Sequence, residues 1–278
     1  MKELFDRTTF ECSKLITNNY STSFSLGIKT LEEKFHFPIY SIYGFVRYAD
    51  EIVDTFHDYD KKALLSKFKS ETYTAINEKI SLNPVLHSFQ LVVNQYRIEE
   101  ELIEAFLYSM EMDLEQKTFG QLDYEKYIYG SAEVVGLMCL RVFCEGNNKM
   151  YQDLKEPARH LGSAFQKVNF LRDIKDDYQH RGRIYFPKLN LENITSDDKN
   201  AIFTDIENDF AKAHHGIINL PKGAKLGVYL AYIYYLNLFK KIKKTSVNTL
   251  MERRIRIPNF NKYMMLMTSY FRYRFNSL

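Results

Sequence analysis

Tryptophan is absent from this 278-residue chain, and glycine (11), proline (6) and cysteine (3) are all scarce. So few glycines and prolines leave little material for turns or linkers. No Ser/Gly/Pro-rich segment divides the chain and no repeat unit recurs. The cysteines, Cys12, Cys139 and Cys144, are odd in number and show no CxxC spacing. That argues against a disulfide framework or a zinc site and points to a reducing, cytoplasmic setting. Alternating Val/Ile/Thr runs and hairpin signals are missing, which argues against sheets. A net charge of +3 is too small to argue for nucleic acid. The N-terminus, Met1-Lys2-Glu3-Leu4-Phe5-Asp6-Arg7, has no apolar run and does not read as a signal peptide. The most apolar stretch, 226–239, falls short of the roughly 20 residues that cross a bilayer and reads as a buried helix.

What is present is helical periodicity, and with it 21 Tyr and 21 Phe, enough to line an apolar cavity. The reading is one all-α domain over 1–278. Its central helices are predicted at 39–56, 124–143, 157–178 and 226–244. Loops are predicted at 57–60, 146–152, 182–198 and 221–223, with the prolines as breaks. In the second helix Gly130, Ser131, Ala132 and Gly136 recur, opening a groove or admitting a neighbouring helix.

Two of these helices carry matching polar stripes. At about 100° per residue, Tyr43, Arg47, Asp50 and Asp54 share one face. Gln166, Asn169, Asp173 and Asp177 share another. Each stripe ends in aspartates spaced i,i+4, an arrangement that costs a bare helix about 0.2–0.5 kcal/mol. A cation between the helices would relieve that repulsion. Carboxylates without His or Cys partners are hard oxygen donors suited to Mg²⁺. The plainer alternative is two solvated acidic faces, but Tyr43, Arg47, Gln166 and Asn169 fit such faces poorly. Arg172 and Asp176 are predicted to form a structural i,i+4 ion pair, which makes Asp176 the weaker ligand candidate beside Asp177.

Other segments read two ways. His180-Arg181-Gly182-Arg183-Ile184-Tyr185-Phe186-Pro187 is a helix end, with Gly182 as left-handed cap. It is also a candidate flap bringing Arg183 and Tyr185 over a phosphate. The hydroxyl cluster from Ser21 to Ser25 is an N-cap that could also donate to phosphate. Arg253, Arg254 and Arg256 form a basic patch. The aromatic, basic tail at 263–275 reads as a core-packing terminal helix or as a surface that touches a bilayer.

These residues resemble the squalene/phytoene synthases, the head-to-head isoprenyl diphosphate synthases. The resemblance runs from Ser21 to Pro258. It rests on Gln166-x-x-Asn169-x-x-Arg172-Asp173-x-x-x-Asp177, on Arg183-Ile184-Tyr185-Phe186-Pro187, and on the Tyr43/Arg47/Asp50/Asp54 block. It implies a single-domain isoprenoid-synthase bundle around a central apolar cavity. Several Mg²⁺ ions would be held by Asp50, Asp54, Asp173 and Asp177, with Asn169 beside them. Those five and Tyr185 would be the catalytic set. Ser21, Ser23, Tyr43, Arg47, Gln166, Arg183, Tyr235 and Arg254 would bind diphosphate or the reacting region; Arg253 or Arg256 could replace Arg254. Phe24 and Tyr127 would face the prenyl chain. The chain departs from the family at Glu51, where some members carry a third Asp, and at Glu133, where many carry Gly, Ala or Thr. Glu133 would line the cavity wall or face Arg141 or water.

The resemblance implies a Mg²⁺-dependent prenyltransferase joining two prenyl diphosphates through a cyclopropyl diphosphate. The chain lacks the C-terminal membrane helix of eukaryotic squalene synthases. It looks most like bacterial phytoene synthases, which implies two geranylgeranyl diphosphates, phytoene as product, carotenoid biosynthesis and no NADPH. Squalene or dehydrosqualene from a C15 substrate is the alternative chemistry. A non-catalytic assembly factor of the same fold is the alternative class, and it would be expected to lose aspartates that are all kept here. The implied partners are prenyl diphosphates, a peripheral contact with the inner face of the membrane, and a downstream phytoene desaturase.

Overall fold

The structure is a computed structural model describing residues 1–115, 118–187, 189 and 195–275. Among these residues the chain is helical throughout, with one isolated parallel bridge between Thr118 and Ile184. In chain order the helices are α1 (Lys2–Tyr20), α2 (Thr22–Lys29), α3 (Glu33–Asp54), α4 (Lys61–Glu78), α5 (Pro84–Tyr96) and α6 (Glu100–Glu115). Then α7 (Gln121–Ile128) runs through a π-helical turn (Tyr129–Glu133) into α8 (Val134–Cys144). The rest are α9 (Asn148–Gln179), α10 (Ser196–Ile218), α11 (Lys222–Lys243), α12 (Val247–Glu252) and α13 (Asn259–Arg274). Side-chain caps start several of them. Ser21 Oγ accepts from Phe24 N–H at 3.2 Å, Asp60 from Ala63 at 3.0 Å and Asn147 from Met150 at 3.0 Å. Each such cap contributes about 1 kcal/mol.

Two prolines expected to break helices do not. Pro38 sits one turn inside α3 and Pro157 lies well inside α9. At Pro38 only the carbonyl of exposed Lys34 loses its helical partner, and water can replace it. At Pro157 the ring packs on α10 where Gly216 offers no side chain. A Cβ there would lie 2.3 Å from the Pro157 Cβ. Helix α9 therefore starts at its Asn147 cap, well before Pro157. Part of the expected 182–198 loop, residues 188 and 190–194, lies outside the described residues.

The bundle has two apolar cores with a cavity between them. One packs α1, α3, α4, α5, α6 and α8 around Phe45, whose ring stacks on Phe89 at 3.9 Å. The other packs α7, α10, α11 and the second half of α9. The carrier of the second stripe is anchored from behind. Buried Asp209 of α10 accepts from Ser163, Lys167 and His160 of α9 at 2.7–2.8 Å. The small residues of the π-helical turn admit a neighbour as expected: a Cβ on Gly130 would meet Ala105 O of α6 at 2.3 Å. Among the described residues, one helical stretch is long and apolar enough to cross a membrane. It is Gln121–Cys144, not 226–239, and 56% of its most apolar window is buried inside the bundle.

Candidate active site

Helix α3 turns one face to the outer bundle and presents Tyr43, Arg47, Asp50 and Asp54 to the cavity and its mouth. Arg47 donates to Asp50 at 2.5 Å and also pairs with Glu51. Its guanidinium lies over the Tyr20 ring at 4.4 Å. Its Nε is buried with no hydrogen-bond partner. A buried guanidinium N–H left unpaired is costly and suited to an incoming anion. Burial pushes the Tyr43 hydroxyl up to about 12, although Arg47 and a hydrogen bond with Ser21 oppose it. Burial, followed by the Asp54 charge, raises the Asp50 carboxyl to about 6.

Across the cavity, α9 presents Gln166, Asn169, Asp173 and Asp177. Tyr235 of α11 donates to Asn169 Oδ1 at 3.2 Å and stacks on Phe165 at 3.9 Å. Phe24 spans the gap, 5.7 Å from the Tyr43 ring and 6.2 Å from Tyr235. Arg172 does not pair with Asp176. It donates instead to its neighbour Asp173 at 2.9 Å, and Arg254 reaches the same carboxylate at 2.7 Å. The half-buried Asp173 side chain draws both cations. Of the three arginines in the basic patch, Arg254 is therefore the one paired with the stripe. Burial raises the Asp177 carboxyl to about 7; Arg181 opposes this while Asp173 and Asp54 add to it.

The segment after α9 turns at Gly182, whose φ of 66° lies in the left-handed region that glycine tolerates best. The turn sends two arginines back across the mouth. Arg181 contacts Asp177 at 2.8 Å and Asp54 at 3.1 Å, bridging the two stripes. Arg183 donates to Asp54 at 2.9 Å, to the Asp113 carbonyl at 3.0 Å and to the Tyr185 hydroxyl at 3.2 Å. Asp113, buried on α6, accepts from Tyr127 at 2.7 Å and from Tyr185 at 2.9 Å. Burial lifts its carboxyl to about 6 against the opposing charge of Arg183. Tyr185 stacks on Phe170 at 4.2 Å.

Asp113 and Arg181 were missed by sequence reasoning. Asp113 was visible as the one carboxylate on the buried arc of Leu102, Phe106, Ser109 and Met110. Arg181 lies i,i+4 from Asp177, a spacing that also reads as a helix end. Glu133 is not part of the cavity lining, which skips from Ala132 to Val135, and it does not face Arg141; its partner is Arg159 at 2.7 Å, while Arg141 pairs with Glu99 at 3.0 Å. Ser23 stands slightly apart, lining a small pocket against α13 together with Phe24 and Tyr235.

Behind this mouth lies a cavity of about 370 Å³. Its walls are apolar, with Val135, Cys139 and Leu161 along the sides and Phe143, Leu154 and Leu220 farther in. Along α9 its lining runs from Asn169 back to Leu154, about 22 Å at 1.5 Å per residue.

Among the described residues no three His, Cys, Asp or Glu side chains converge as a metal-binding group. Arginines stand between the aspartates instead. The donor set nonetheless fits a hard divalent cation. It consists of carboxylates on facing helices that raise one another's proton affinity, with the Arg181 guanidinium as a positive stand-in between Asp54 and Asp177.

Two acid-bearing helices face each other, with arginines between them, at the mouth of a deep apolar cavity. The sequence profile of squalene/phytoene synthase matches residues 17–261, and the chain belongs to that family. It is 25% identical to the chloroplastic phytoene synthase 1 of Zea mays over 91% of this chain. It is 30% identical to the presqualene diphosphate synthase of Sinorhizobium fredii over 66% of this chain. The chain spans 65% of the length of each of these relatives. A crystal structure of a dehydrosqualene synthase in complex with ligand superposes with a TM-score of 0.81 at 21% identity, covering 97% of this chain and 98% of that one. At that identity the likeness shows the fold alone.

Proposed function

We propose that the chain is a prenyltransferase that joins two geranylgeranyl diphosphates head to head. The product is phytoene, formed through a cyclopropyl (prephytoene) diphosphate. The observation that carries this reading is the depth of the apolar cavity behind a mouth of opposed aspartates and arginines. Each isoprene repeat adds four chain carbons with bonds of ~1.5 Å, so a C20 chain extends roughly 20 Å and a C15 chain roughly 15 Å. The lining along α9, about 22 Å at 1.5 Å per residue, suits the longer chain.

Arg47, with its unpaired Nε, and Tyr43 and Ser21 beside it would bind one diphosphate. Arg183 and Arg254 would reach diphosphate oxygens from the opposite rim. The arginines favour departure of the first diphosphate, which takes the electrons of the allylic C–O bond. The π bond of the second prenyl chain then attacks the allylic cation, and a proton is lost as the cyclopropane closes. Departure of the second diphosphate, rearrangement to the 1–1′ bond and loss of a second proton complete the hydrocarbon. No hydride is consumed, so NADPH is not required. Mg²⁺, held by Asp50, Asp54, Asp173 and Asp177 with Asn169 nearby, would supply charge neutralisation to the diphosphates. The aromatic wall of Phe24, Phe165 and Tyr235 keeps water from the cations. Tyr185 and Tyr127, held on Asp113, order the rim beneath Arg183; the two protons lost pass to the released diphosphates, or through a Tyr hydroxyl to the Asp113 carboxylate it donates to.

The test is incubation with Mg²⁺ and C15 or C20 diphosphates, with and without NADPH, followed by hydrocarbon analysis. Phytoene from the C20 substrate without NADPH supports the reading. A product formed only from C15 substrate keeps the chemistry and overturns the chain length. Full function in cells after both Asp50→Ala and Asp173→Ala would assign the chain to non-catalytic assembly instead.

A further inference from the structure

Helix α13 is two-faced. Lys262, Met265, Leu266, Ser269 and Tyr273 turn toward the bundle, where the helix packs on α11. Phe260, Tyr263, Met264, Met267, Tyr270 and Phe271 point outward, each between 48% and 73% exposed. Such a run of exposed aromatic and methionine side chains on one helix is unusual for a solvated surface. The same helix carries Lys262, Arg272 and Arg274 and no acidic residue.

What lies beneath α13 bears on its role. A small pocket there, about 20 Å³, is bounded by Lys262 and Met265 of α13 on one side and by Leu26 and Leu230 on the other. Phe24, Ala231 and Tyr235 line both this pocket and the deep cavity. A single layer of side chains therefore separates the cavity from the underside of α13. The polar contacts of α13 with the bundle are light. Lys262 donates to Thr22 Oγ at 2.9 Å, Arg272 to the Tyr229 hydroxyl at 3.3 Å, and the Tyr273 hydroxyl to Lys222 O at 3.2 Å. None of these is an ion pair, and Ser269 Oγ is buried without a partner.

We infer that the outer face of α13 lies in the head-group layer of an anionic bilayer, and that the pocket beneath it is a side portal from the deep cavity to that bilayer. The portal rests on the function proposed above: a long hydrocarbon has no aqueous route out. An apolar face bordered by cations and free of acids matches an interfacial helix on anionic lipid. A second copy of the chain is a poorer occupant, because a two-fold contact would set the same cationic helix against itself.

The first experiment needs no substrate, so it separates this inference from the enzymatic reading. The full chain is floated with vesicles of phosphatidylglycerol or of phosphatidylcholine, as wild type and as Met264→Glu/Met267→Glu. We expect wild type to float with the anionic vesicles, more weakly at high salt, and the variant to lose more than tenfold in partitioning while melting as wild type does. Equal partitioning of both proteins, or none by either, overturns the inference. So does a solution dimer that the variant dissociates, which would give the face to a second copy. The portal is tested with Leu26→Trp, or with Met265→Trp from the opposite wall should the first not fold. Product formed in the first turnover should match wild type, while steady-state release into vesicles falls more than fivefold. Unchanged steady-state release overturns the portal.

Discussion

Replacing Asp113 by Asn isolates the polar network that sequence reasoning overlooked. The Asp113 side chain is 3% exposed and accepts from two tyrosine hydroxyls, Tyr127 at 2.7 Å and Tyr185 at 2.9 Å. An asparagine of the same shape has one oxygen to accept with and an amide that donates. It can receive one hydroxyl, but it turns a donor toward the other. That loses one charge-assisted hydrogen bond, about 1.5–3 kcal/mol, and weakens the field that holds Arg183. Arg183 keeps Asp54 at 2.9 Å, so the cation is not orphaned. The same change removes the desolvation cost of a buried carboxylate, which offsets part of this, so the net loss should be about 1–2 kcal/mol in denaturant unfolding. At ~2–4 °C per kcal/mol for a chain of this size, the melting temperature should fall by roughly 2–8 °C. The assay belongs near pH 8, because the Asp113 carboxyl titrates at about 6. Asp113 is a positioning residue. Its loss should lower kcat for the proposed condensation by tenfold or more through Tyr185 and Arg183, and leave KM nearly unchanged. Tyr127→Phe supplies the control. With one hydroxyl gone, the asparagine oxygen serves Tyr185 alone, so the double variant should be about 1–2 kcal/mol more stable than additivity gives. An Asp113→Asn protein within ~0.5 kcal/mol of wild type, or strictly additive losses, would refute the network.

Arg181→Ala removes the guanidinium between Asp54 and Asp177. Without divalent ions it should lower stability by about 1–2 kcal/mol, and Mg²⁺ should raise the melting temperature of the variant more than that of wild type; equal rises would show that the arginine and the cation do not compete. Protons should stabilise the divalent-free protein. Burial holds Asp50 and Asp113 near 6 and Asp177 near 7, so these groups take up protons in the folded state before the unfolded chain does. Their contribution is complete below the ordinary value of about 3.9 and is lost as pH rises through 6–7, so the melting temperature should climb from pH 8 to pH 5.5. A flat or falling profile contradicts the burial of these carboxyls. Ala158→Phe fills the cavity wall on α9. Turnover of the C20 substrate should fall more than tenfold and that of the C15 substrate less than threefold, and equal losses would separate chain length from this wall.

The two stripes could be read from the sequence because helical periodicity alone places Asp50 beside Asp54 and Asp173 beside Asp177. What could not be read was side-chain pairing across helices. Glu133 and Arg159 stand 26 positions apart and meet only because α9 crosses the π-helical turn. Arg172 had an ideal helical partner in Asp176 and took its neighbour Asp173, where burial and Arg254 concentrate the charge. Pro38 and Pro157 were read as breaks because local cost was visible and tertiary gain was not. At Pro157 the gain is the close approach of α10 at Gly216.

The arginines change the meaning of the repulsion built into the stripes. Asp50, Asp54, Asp173 and Asp177 each have a guanidinium partner, from Arg47, Arg172, Arg181, Arg183 or Arg254. The mouth is therefore close to neutral as it stands, which is how a chain can carry opposed acidic helices and still fold. On the proposed function three of these arginines, Arg47, Arg183 and Arg254, are the diphosphate contacts. A diphosphate that draws Arg47, Arg183 or Arg254 away leaves Asp50 without its guanidinium and Asp54 and Asp173 with one each, from Arg181 and Arg172, and under-compensated carboxylates at a partly buried mouth favour a cation. Anion and cation binding are coupled by that exchange, because each arginine released to the anion frees a carboxylate for the metal. A mouth of aspartates alone would hold metal without substrate, and a mouth of arginines alone would hold diphosphate without metal. Interleaving the two favours the state in which both are bound.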